Sequence, residues 1–319
     1  MNRSFESEVN PGKVKSAEVV VCIPSYNEAD SISFPVTQAD EGLRRYFGGR
    51  KAVIINCDNN SPDGTGEKFM DTPTQTPKIY LSTPEGIRGK GNNFKNLFRK
   101  AIDLRAKAVV VVDADLKSIT PEWIKHLGEP VLQGFSYVTP LYIRHKYDGT
   151  ITNGIAYPLV RSLYGRRVRQ PIGGDFGFSG KMAEIFMAGE FWDDAVANFG
   201  IDIWMTALAL TNRARVAQAF MGRPKIHRAK DPGSHLGPMF RQVVGTMFSV
   251  MNETFPFWGK IKFSRPTAIY GFGLGHTEMP PEVRVNTRNL LDRFHQGLEN
   301  HGSLWKDVLT RGVHGKLME

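Results

Sequence analysis

Three runs of apolar residues in the first third of the chain each end abruptly on polar residues. They span residues 18–23, 51–57 and 106–112. Their apolar positions are consecutive rather than alternating, which is typical of strands that are buried on both faces of a sheet. Helical patterns occupy residues 32–46 and 92–105, between the runs. This alternation predicts an α/β protein with a doubly wound, mostly parallel sheet.

The alternation becomes less regular after residue 121. The further predicted elements are strands over residues 137–143 and 216–220, helices over 151–164, 180–187 and 201–213, and a glycine-rich turn over 171–175. Beyond residue 238 the pattern is mainly helical, over residues 239–253, 281–300 and 304–311. We therefore expect a flexible tail (1–17), an α/β domain (18–235, with halves that meet near residue 120) and a C-terminal helical subdomain (236–319).

Composition limits the class of protein further. Hydrophobic residues make up 41% of the chain and charged residues 23%, as in ordinary globular proteins. No apolar run approaches the roughly 20 residues of a membrane helix, and residues 1–18 lack the apolar centre of a signal peptide. Cys22 and Cys57 both lie in apolar runs, where they fit small buried side chains better than a disulfide framework. We expect a cytoplasmic protein without an integral membrane segment.

The formal net charge of +9 favours anionic partners. The basic residues are scattered and do not form a stripe interleaved with stacking aromatic residues, so we expect no nucleic-acid partner. Small phosphorylated or carboxylated substrates account for the charge equally well.

Two carboxylates follow the third apolar run directly, in the order Asp113, Ala114, Asp115. In an extended chain, residues i and i+2 point to the same side, so both carboxylates can face one ligand. Oxygen ligands of this kind suit Mg²⁺ or Mn²⁺, which in turn binds a diphosphate. An Asp-x-Asp occurs about once by chance in a chain of this length, so its position after a buried strand carries the argument.

The other strand ends carry polar residues too. The first continues as Pro24, Ser25, Tyr26, Asn27 and Glu28, which suits contact with a nucleotide but also fits the start of a helix. Asp58, after the second strand, is placed to accept a hydrogen bond from a base, within a segment that otherwise reads as a turn.

A basic loop precedes the second helix, over residues 85–93, and contains three glycines. It resembles a phosphate-binding loop, although the Gly-Lys-Ser/Thr of a Walker A motif is absent. Lys90 and Arg88 are alternative diphosphate ligands, and a plain surface loop is the simpler reading. Farther along, His227 follows a strand and can complete a metal shell with Asp115, while Asp202 interrupts an apolar helix.

Together these segments resemble the GT-A-fold glycosyltransferases of family 2, and most of all the retaining mannosylglycerate, glucosylglycerate and glucosyl-3-phosphoglycerate synthases. Many nucleotide-sugar enzymes share residues 23–28, Asp58 and the pattern of residues 113–115. The more specific part is the ordered set Thr152, residues 170–175, 199–202 and 225–228. The likeness covers residues 18–235.

The resemblance implies a role for each matching residue. It implies a divalent metal, Mg²⁺ or Mn²⁺, held by Asp115 and His227, and a nucleoside diphosphate sugar as the donor. The donor contacts that it implies are Pro24, Tyr26, Glu28, Asp58, Lys90, Asp113, Ala114, Gly173, Gly174 and Asp175. Asp202 would lie by the acceptor and the reacting carbon, and Arg144 and Thr152 would hold the carboxylate of the acceptor. Asp202, Asp115 and Lys90 would carry the catalysis.

The chain departs from the 3-phosphoglycerate branch of these enzymes at two positions. Thr150 stands where that branch has an arginine for the acceptor phosphate, and Ala229 where it has an asparagine. Asp175 also replaces the more usual glutamate. We therefore expect transfer of glucose or mannose to D-glycerate or a similar small hydroxy acid. The alternatives are a 3-phosphoglycerate or other family 2 acceptor, and an inactive nucleotide-sugar-binding protein. A homo-oligomer formed through the C-terminal helices is a further expectation.

Overall fold

The computed structural model describes residues 7–227, 232–271, 278–283 and 285–319 of the 319-residue chain, without the side chains of 232–235. The chain forms two compact units. The larger consists of Met1–Arg144 and Gly149–Pro280, and the smaller of His145–Asp148 and Pro281–Glu319. Within the described ranges, no helix has the length and apolar character needed to cross a membrane.

A nine-stranded sheet of described strands runs through the larger unit, in the order β1-β4-β3-β2-β5-β7-β6-β8-β9. The strands are β1 (Ser7–Val9), β2 (Val19–Ser25), β3 (Ala52–Asp58), β4 (Lys78–Ser82), β5 (Ala108–Val111), β6 (Tyr137–Leu141), β7 (Phe176–Ser179), β8 (Val216–Phe220) and β9 (Ala268–Tyr270). β2 pairs in parallel with both β3 and β5, whereas β7 runs antiparallel to β5 and β6. The sheet is therefore mostly parallel, with one reversed strand inside it.

Helices cover both faces of the sheet. The helices of the larger unit are α1 (Ser33–Phe47), α2 (Thr65–Asp71), α3 (Lys90–Asp103), α4 (Pro121–Leu132), α5 (Tyr157–Tyr164), α6 (Gly180–Met187), α7 (Ile201–Thr211), α8 (Pro232–Glu253) and α9 (Phe255–Trp258). A π-helical turn, Thr152–Ala156, leads directly into α5. Alternate residues of β2 point to the two faces, so Val20 and Cys22 pack in one apolar core, whereas Val21 and Ile23 pack in the other.

The smaller unit contains α10 (Thr287–Val308) and α11 (Arg311–Met318). The rings of Phe294 and Trp305 lie 5.7 Å apart within α10. Several of its apolar side chains are exposed, among them Leu290, Leu304 and Val308.

The predicted α/β fold is confirmed, and the strands predicted near residues 18–23, 51–57, 106–112, 137–143 and 216–220 are all present. The prediction of two separate helices over 281–300 and 304–311 is wrong, because α10 is one continuous helix from Thr287 to Val308. β1, β4, β7 and β9 were not predicted. β1 lies within the segment expected to be a flexible tail and pairs with β4. β9 pairs with β8, so the larger unit continues beyond residue 235.

Candidate active site

The candidate residues gather at one edge of the sheet, where the parallel strands end. Ser25 and Asp58 are the last residues of β2 and β3, and Asp113 lies two residues after β5. Because β7 is antiparallel to β5, its first end lies at the same edge, and Asp175 immediately precedes it. The backbone amide of Asp113 donates to Asp175 Oδ1 at 2.9 Å. The reversed strand thus brings the glycine-rich turn to the Asp-Ala-Asp segment.

Two lysines and three aspartates form a largely buried ion cluster at this edge. Lys225 Nζ lies 2.6 Å from Asp113 Oδ2 and 3.2 Å from Asp175 Oδ2. Lys90 Nζ lies 3.3 Å from Asp113 Oδ1 and 3.2 Å from Asp202 Oδ1. Asp113 therefore joins the two lysines, and Lys90 connects the Asp-Ala-Asp segment with the first turn of α7. We call these five residues the ion cluster.

Burial and the charges of neighbouring groups together shift the pKa values of four members of the ion cluster. Burial raises the pKa of Asp202 above its ordinary value, although the Lys90 ammonium opposes the shift. Burial likewise raises the pKa of Asp175 against the opposing effect of Lys225. Desolvation alone would lower the pKa of both lysines, but the neighbouring carboxylates, Asp113 foremost, raise it instead. Both ammonium groups are therefore charged at neutral pH.

Sequence reasoning did not assign a role to Lys225. Its side chain is only 5% exposed, and its ammonium group also donates to the Gly173 carbonyl at 3.0 Å. The sequence did contain a signal for such a role. Lys225 lies two residues before the metal-ligand candidate His227, within residues 225–228, which carry part of the specific resemblance. The Tyr142 hydroxyl donates to Asp175 Oδ2, so Asp175 is held by three different partners.

Gly174 lies where no other residue fits. Its φ is +84°, and a Cβ atom there would lie 2.5 Å from Asp113 Oδ2 and 2.6 Å from Lys225 Nζ. A side chain would therefore separate the ion pair as well as strain the backbone. The carbonyl oxygen of Gly174 faces Lys90 Nζ at 3.5 Å. The turn thus contributes backbone atoms, rather than side chains, to the lining of the ion cluster.

The glycine-rich basic loop packs against another segment of the protein. A Cβ on Gly89 would lie 2.3 Å from the Ala197 carbonyl oxygen, and one on Gly91 would lie 2.0 Å from the Val196 carbonyl oxygen. The Gly91 amide donates to the Asn198 carbonyl at 3.2 Å. These glycines therefore allow close contact with the segment that precedes α7. Because α3 begins at Lys90, this contact sets the lysine beside Asp202.

Arg88 takes a different position from Lys90. Its guanidinium carbon lies 4.9 Å from the centroid of the Tyr26 ring, and its side chain is exposed. Of the two diphosphate-ligand candidates, the structure brings Lys90 into the ion cluster and leaves Arg88 over the aromatic residue that follows β2.

The remaining donor-side candidates surround the ends of β2 and β3. Pro24 is buried within β2, and the Glu28 carboxylate accepts a hydrogen bond from the Ser31 hydroxyl at 2.6 Å. Asp58 is fully buried. Its carboxylate accepts from the Ser25 hydroxyl, from the Ser61 amide and hydroxyl, and from the Tyr80 hydroxyl. Contact between Asp58 and a base would require one of these donors to turn away.

The two metal-ligand candidates lie on neighbouring strand-like segments. Leu116 and His227 form an antiparallel bridge, which sets the histidine beside the residue that follows Asp115. The Lys117 amide donates to the Ile226 carbonyl at 2.8 Å and extends the pairing. Asp115 is buried, as is Ala114, whereas His227 is exposed. Within the described parts of the chain, no group of three or more His, Cys, Asp or Glu side chains forms a complete metal site.

The acceptor-side candidates follow β6. The Arg144 guanidinium carbon lies 5.2 Å from the centroid of the Tyr142 ring, and Thr152 is buried at the start of the π-helical turn. Thr150 is exposed. The structure therefore connects Arg144, through Tyr142, to the Asp175 corner of the ion cluster. Ala229 lies outside the described residues.

The fold and the site define a class of protein. A mostly parallel sheet with a reversed strand in its interior, and an Asp-x-Asp segment at the carboxyl edge beside a glycine-rich turn, characterise the GT-A fold of nucleotide-sugar transferases. The model of the glycosyl transferase family 2 matches residues 20–184, about half of the chain. The chain belongs to this family and is a glycosyltransferase. No curated protein sequence matches it.

Solved structures share the fold at low sequence identity. A crystal structure described as a mycobacterial protein is 23% identical, with a TM-score of 0.58 over 74% of this chain and 75% of that one. Glucosyl-3-phosphoglycerate synthase from Mycobacterium tuberculosis, in complex with Mn²⁺, UDP and glucosyl-3-phosphoglycerate, is 20% identical, with a TM-score of 0.58 over 88% of this chain and 95% of that one. The same enzyme in complex with Mg²⁺ and UDP is 20% identical, with a TM-score of 0.57 over 88% of this chain and 95% of that one.

Proposed function

We propose that this protein is a metal-dependent retaining glycosyltransferase. It moves glucose or mannose from a nucleoside diphosphate sugar to D-glycerate or a similar small hydroxy acid. The observation that carries the proposal is the position of Lys90, whose ammonium group bridges Asp113, on the donor side, and Asp202, at the start of α7. The Lys90 ammonium group thus contacts a carboxylate from the donor half of the α/β domain and one from the acceptor half. A glycosyl group would have to pass between these two halves.

Lys90 is suited to a departing diphosphate. Its ammonium is held by carboxylates in a buried setting, where electrostatic interactions are stronger than in water. When a diphosphate enters, Lys90 can exchange one carboxylate for a phosphate oxygen and keep a full complement of partners. Stabilisation of the charge that develops on the leaving group is usually among the largest contributions to catalysis in such sites.

The residues present fit a divalent metal. Asp115 and His227 supply a carboxylate and an imidazole from adjacent segments, and Mg²⁺ and Mn²⁺ sites commonly combine one or two such ligands with phosphate oxygens and water. The structures of the M. tuberculosis synthase contain Mn²⁺ or Mg²⁺ together with UDP. The metal, when bound, would neutralise charge on the diphosphate.

Asp202 would orient the reactants. Its carboxylate is paired with Lys90 and buried, and one charged partner at 3.2 Å restricts its movement. We propose that transfer occurs on one face of the sugar, with the leaving phosphate taking the proton of the acceptor hydroxyl. Asp202 then positions the acceptor and stabilises positive charge on the sugar, without a covalent intermediate.

Arg144 and Thr152 would bind the acceptor carboxylate, because a guanidinium matches the two oxygens of a carboxylate. The exposed Thr150, in place of an arginine, favours an acceptor without a phosphate. The donor contacts would come from Pro24, Tyr26, Glu28, Asp58, Ala114, Gly173, Gly174 and Asp175, together with Asp113 and Lys90.

We further propose a cytoplasmic setting, supported by Cys22 and Cys57, which are buried free thiols with their sulfurs 3.6 Å apart. Self-association through the smaller unit is supported by the exposed Leu290, Leu304 and Val308 of α10. No nucleic-acid partner is proposed.

The test is mass spectrometry of products from the full chain with Mn²⁺ or Mg²⁺, a panel of sugar nucleotides, and D-glycerate, 3-phosphoglycerate and related hydroxy acids. NMR of the product then gives the anomeric configuration. Transfer to D-glycerate with retention supports the proposal, whereas preference for 3-phosphoglycerate assigns the acceptor to the alternative. Donor binding by calorimetry without transfer or hydrolysis would identify an inactive nucleotide-sugar-binding protein.

A further inference from the structure

One surface of the larger unit combines exposed aromatic side chains with basic ones. It consists of α9 and the following residues to 265, together with residues 161–167 at the end of α5. Phe255 is 59% exposed and Phe263 is 64% exposed, which is unusual for large apolar side chains. We call residues 161–167 and 255–265 the basic aromatic face.

Direct contacts hold the two segments together as one surface. The Arg161 guanidinium donates from Nε to the Ser264 hydroxyl at 3.3 Å, and the Arg265 amide donates to the Gly165 carbonyl at 2.9 Å. The ring of Phe257 lies 6.2 Å from that of Tyr164, in α5. The two segments, which include the exposed Phe255 and Phe263, therefore form one continuous surface.

The charge of the face has one sign. Residues 157–171 and 254–271 contain no aspartate or glutamate. Their basic residues are Arg161, Arg166, Arg167, Arg169, Lys260, Lys262 and Arg265. Of these, all but Arg169 are exposed. The Arg265 guanidinium lies over the Phe263 ring at 5.0 Å, so cationic and apolar groups alternate at short range. Glu253, at the end of α8, is the nearest acidic residue in sequence.

We propose that the basic aromatic face binds the surface of a lipid bilayer that contains anionic lipids. Aromatic rings are favoured at the level of the lipid headgroups, and lysine and arginine are attracted to an anionic membrane surface. A protein that binds a membrane surface without spanning it needs apolar side chains that can enter the lipid and basic side chains around them. This face has both. The face inserts the Phe255 and Phe263 rings and leaves the basic side chains among the headgroups.

A second copy of the chain is a poorer occupant. In a symmetric dimer the same patch faces itself, so the basic residues of one copy would oppose those of the other. Single-stranded RNA is also a poorer occupant, because successive bases need aromatic faces aligned along a groove. The Trp258 indole N–H donates to the Met251 carbonyl at 2.7 Å, so this ring is held against α8 rather than presented for base stacking.

The experiment is flotation of the full chain with vesicles of phosphatidylcholine alone and of phosphatidylcholine mixed with phosphatidylglycerol, at low and at raised salt. We expect binding to the anionic vesicles only, decreasing with salt. The variant Lys260→Glu/Lys262→Glu should lose roughly thirtyfold or more in apparent affinity. The variant Phe263→Ser should lose about tenfold.

Two matched controls separate this face from general effects. Lys68→Glu/Lys181→Glu makes the same change in net charge at exposed positions of α2 and α6, and Phe34→Ser removes an exposed aromatic residue from α1. Both should bind vesicles as the wild type does. Circular dichroism and thermal unfolding establish that each variant is folded, independently of glycosyl transfer.

Several results would overturn the proposal. They are no binding to either vesicle, equal binding to neutral vesicles, or equal losses in the control variants. Self-association in the ultracentrifuge that disappears with Lys260→Glu/Lys262→Glu would assign the face to a second copy. Stronger binding to homopolymeric RNA than to anionic vesicles would assign it to nucleic acid. None of these outcomes depends on which sugar the enzyme transfers.

Discussion

A Cβ atom built on Gly91 would lie 2.0 Å from the carbonyl oxygen of Val196. The first turn of α3 and the segment before α7 therefore touch backbone to backbone, and no larger residue fits between them. Lys90 and Asp202 flank this contact, so the contact determines their separation.

We expect Gly91→Ala to destabilise the protein by roughly 1–3 kcal/mol and to reduce transfer sharply, because the two backbones must separate. Thermal unfolding and kcat measure the two effects. Gly245→Ala, in the interior of α8 with nothing within 4 Å of its added Cβ, is the control and should gain about 0.5–1 kcal/mol. An active Gly91→Ala variant of normal stability would contradict the close contact.

Lys225 is expected to hold the glycine-rich turn against Asp113. Lys225→Met leaves the buried Asp175 without its cation and should cost roughly 3–5 kcal/mol of stability. The double variant Lys225→Met/Asp175→Asn removes both charges and should recover much of that loss without recovering transfer. Denaturant unfolding of the two variants and of an exposed control, Lys68→Met, checks this, and additive losses would argue against the pairing.

Removal of either metal-ligand candidate should abolish metal-supported transfer. Mutation of a residue that only hydrogen-bonds to a metal ligand typically lowers activity roughly 10–100-fold. We expect Asp115→Ala and His227→Ala, which remove a ligand itself, each to lower the transfer rate by at least that factor. Isothermal titration with Mn²⁺ in the presence of the donor gives a second measurement. Wild-type rates for these variants in the presence of a chelator would remove the metal from the mechanism.

Arg144 is expected to act on the acceptor alone. A charge-assisted hydrogen bond to a carboxylate contributes roughly 1.5–3 kcal/mol, so Arg144→Ala should raise the KM for glycerate about ten- to a hundredfold. Hydrolysis of the donor without acceptor should change little. If KM is unchanged, Arg144 belongs to a solvated basic cluster instead.

Asp202 should give stability a distinctive pH dependence. Burial raises its pKa in the folded state above the ordinary 3.8, so the folded protein retains a proton that the unfolded chain has lost. The contribution of Asp202 to the free energy of unfolding therefore decreases as pH rises from 3.8 through the raised pKa. The Asp202→Asn variant has no titrating group at this position. Its free energy of unfolding, relative to that of the wild type, should therefore increase between pH 3.8 and the raised pKa and be constant at lower pH. Unfolding curves over a series of acidic pH values test the sign.

The main strands and the edge at which they end were predictable, because consecutive apolar residues are visible without an alignment. β7 was not predictable. Its sequence, Phe-Gly-Phe-Ser, is short, and only its pairing with β5 and β6 identifies it as a strand. Since that reversed strand sets Asp175 beside Asp113, the geometry of the candidate site depends on a contact between residues 62 positions apart.

The glycines of the basic loop illustrate a second limit. Gly89 and Gly91 predict a phosphate-binding loop when only their own segment is considered. The structure shows that their small size also serves the contact with Val196 and Ala197, residues more than a hundred positions away. Lys225 was overlooked for a similar reason, since its partners Asp113 and Asp175 come from two other segments.

The ion cluster has a consequence for the order in which ligands arrive. Three carboxylates and two ammonium groups leave one net negative charge, and the adjacent Asp115 increases it. A sugar nucleotide carries negative charge on its diphosphate, so the ion cluster by itself would repel the donor that we propose. A divalent cation held by Asp115 and His227 would offset that negative charge. We therefore expect the donor to bind together with a metal ion or after it, rather than before it.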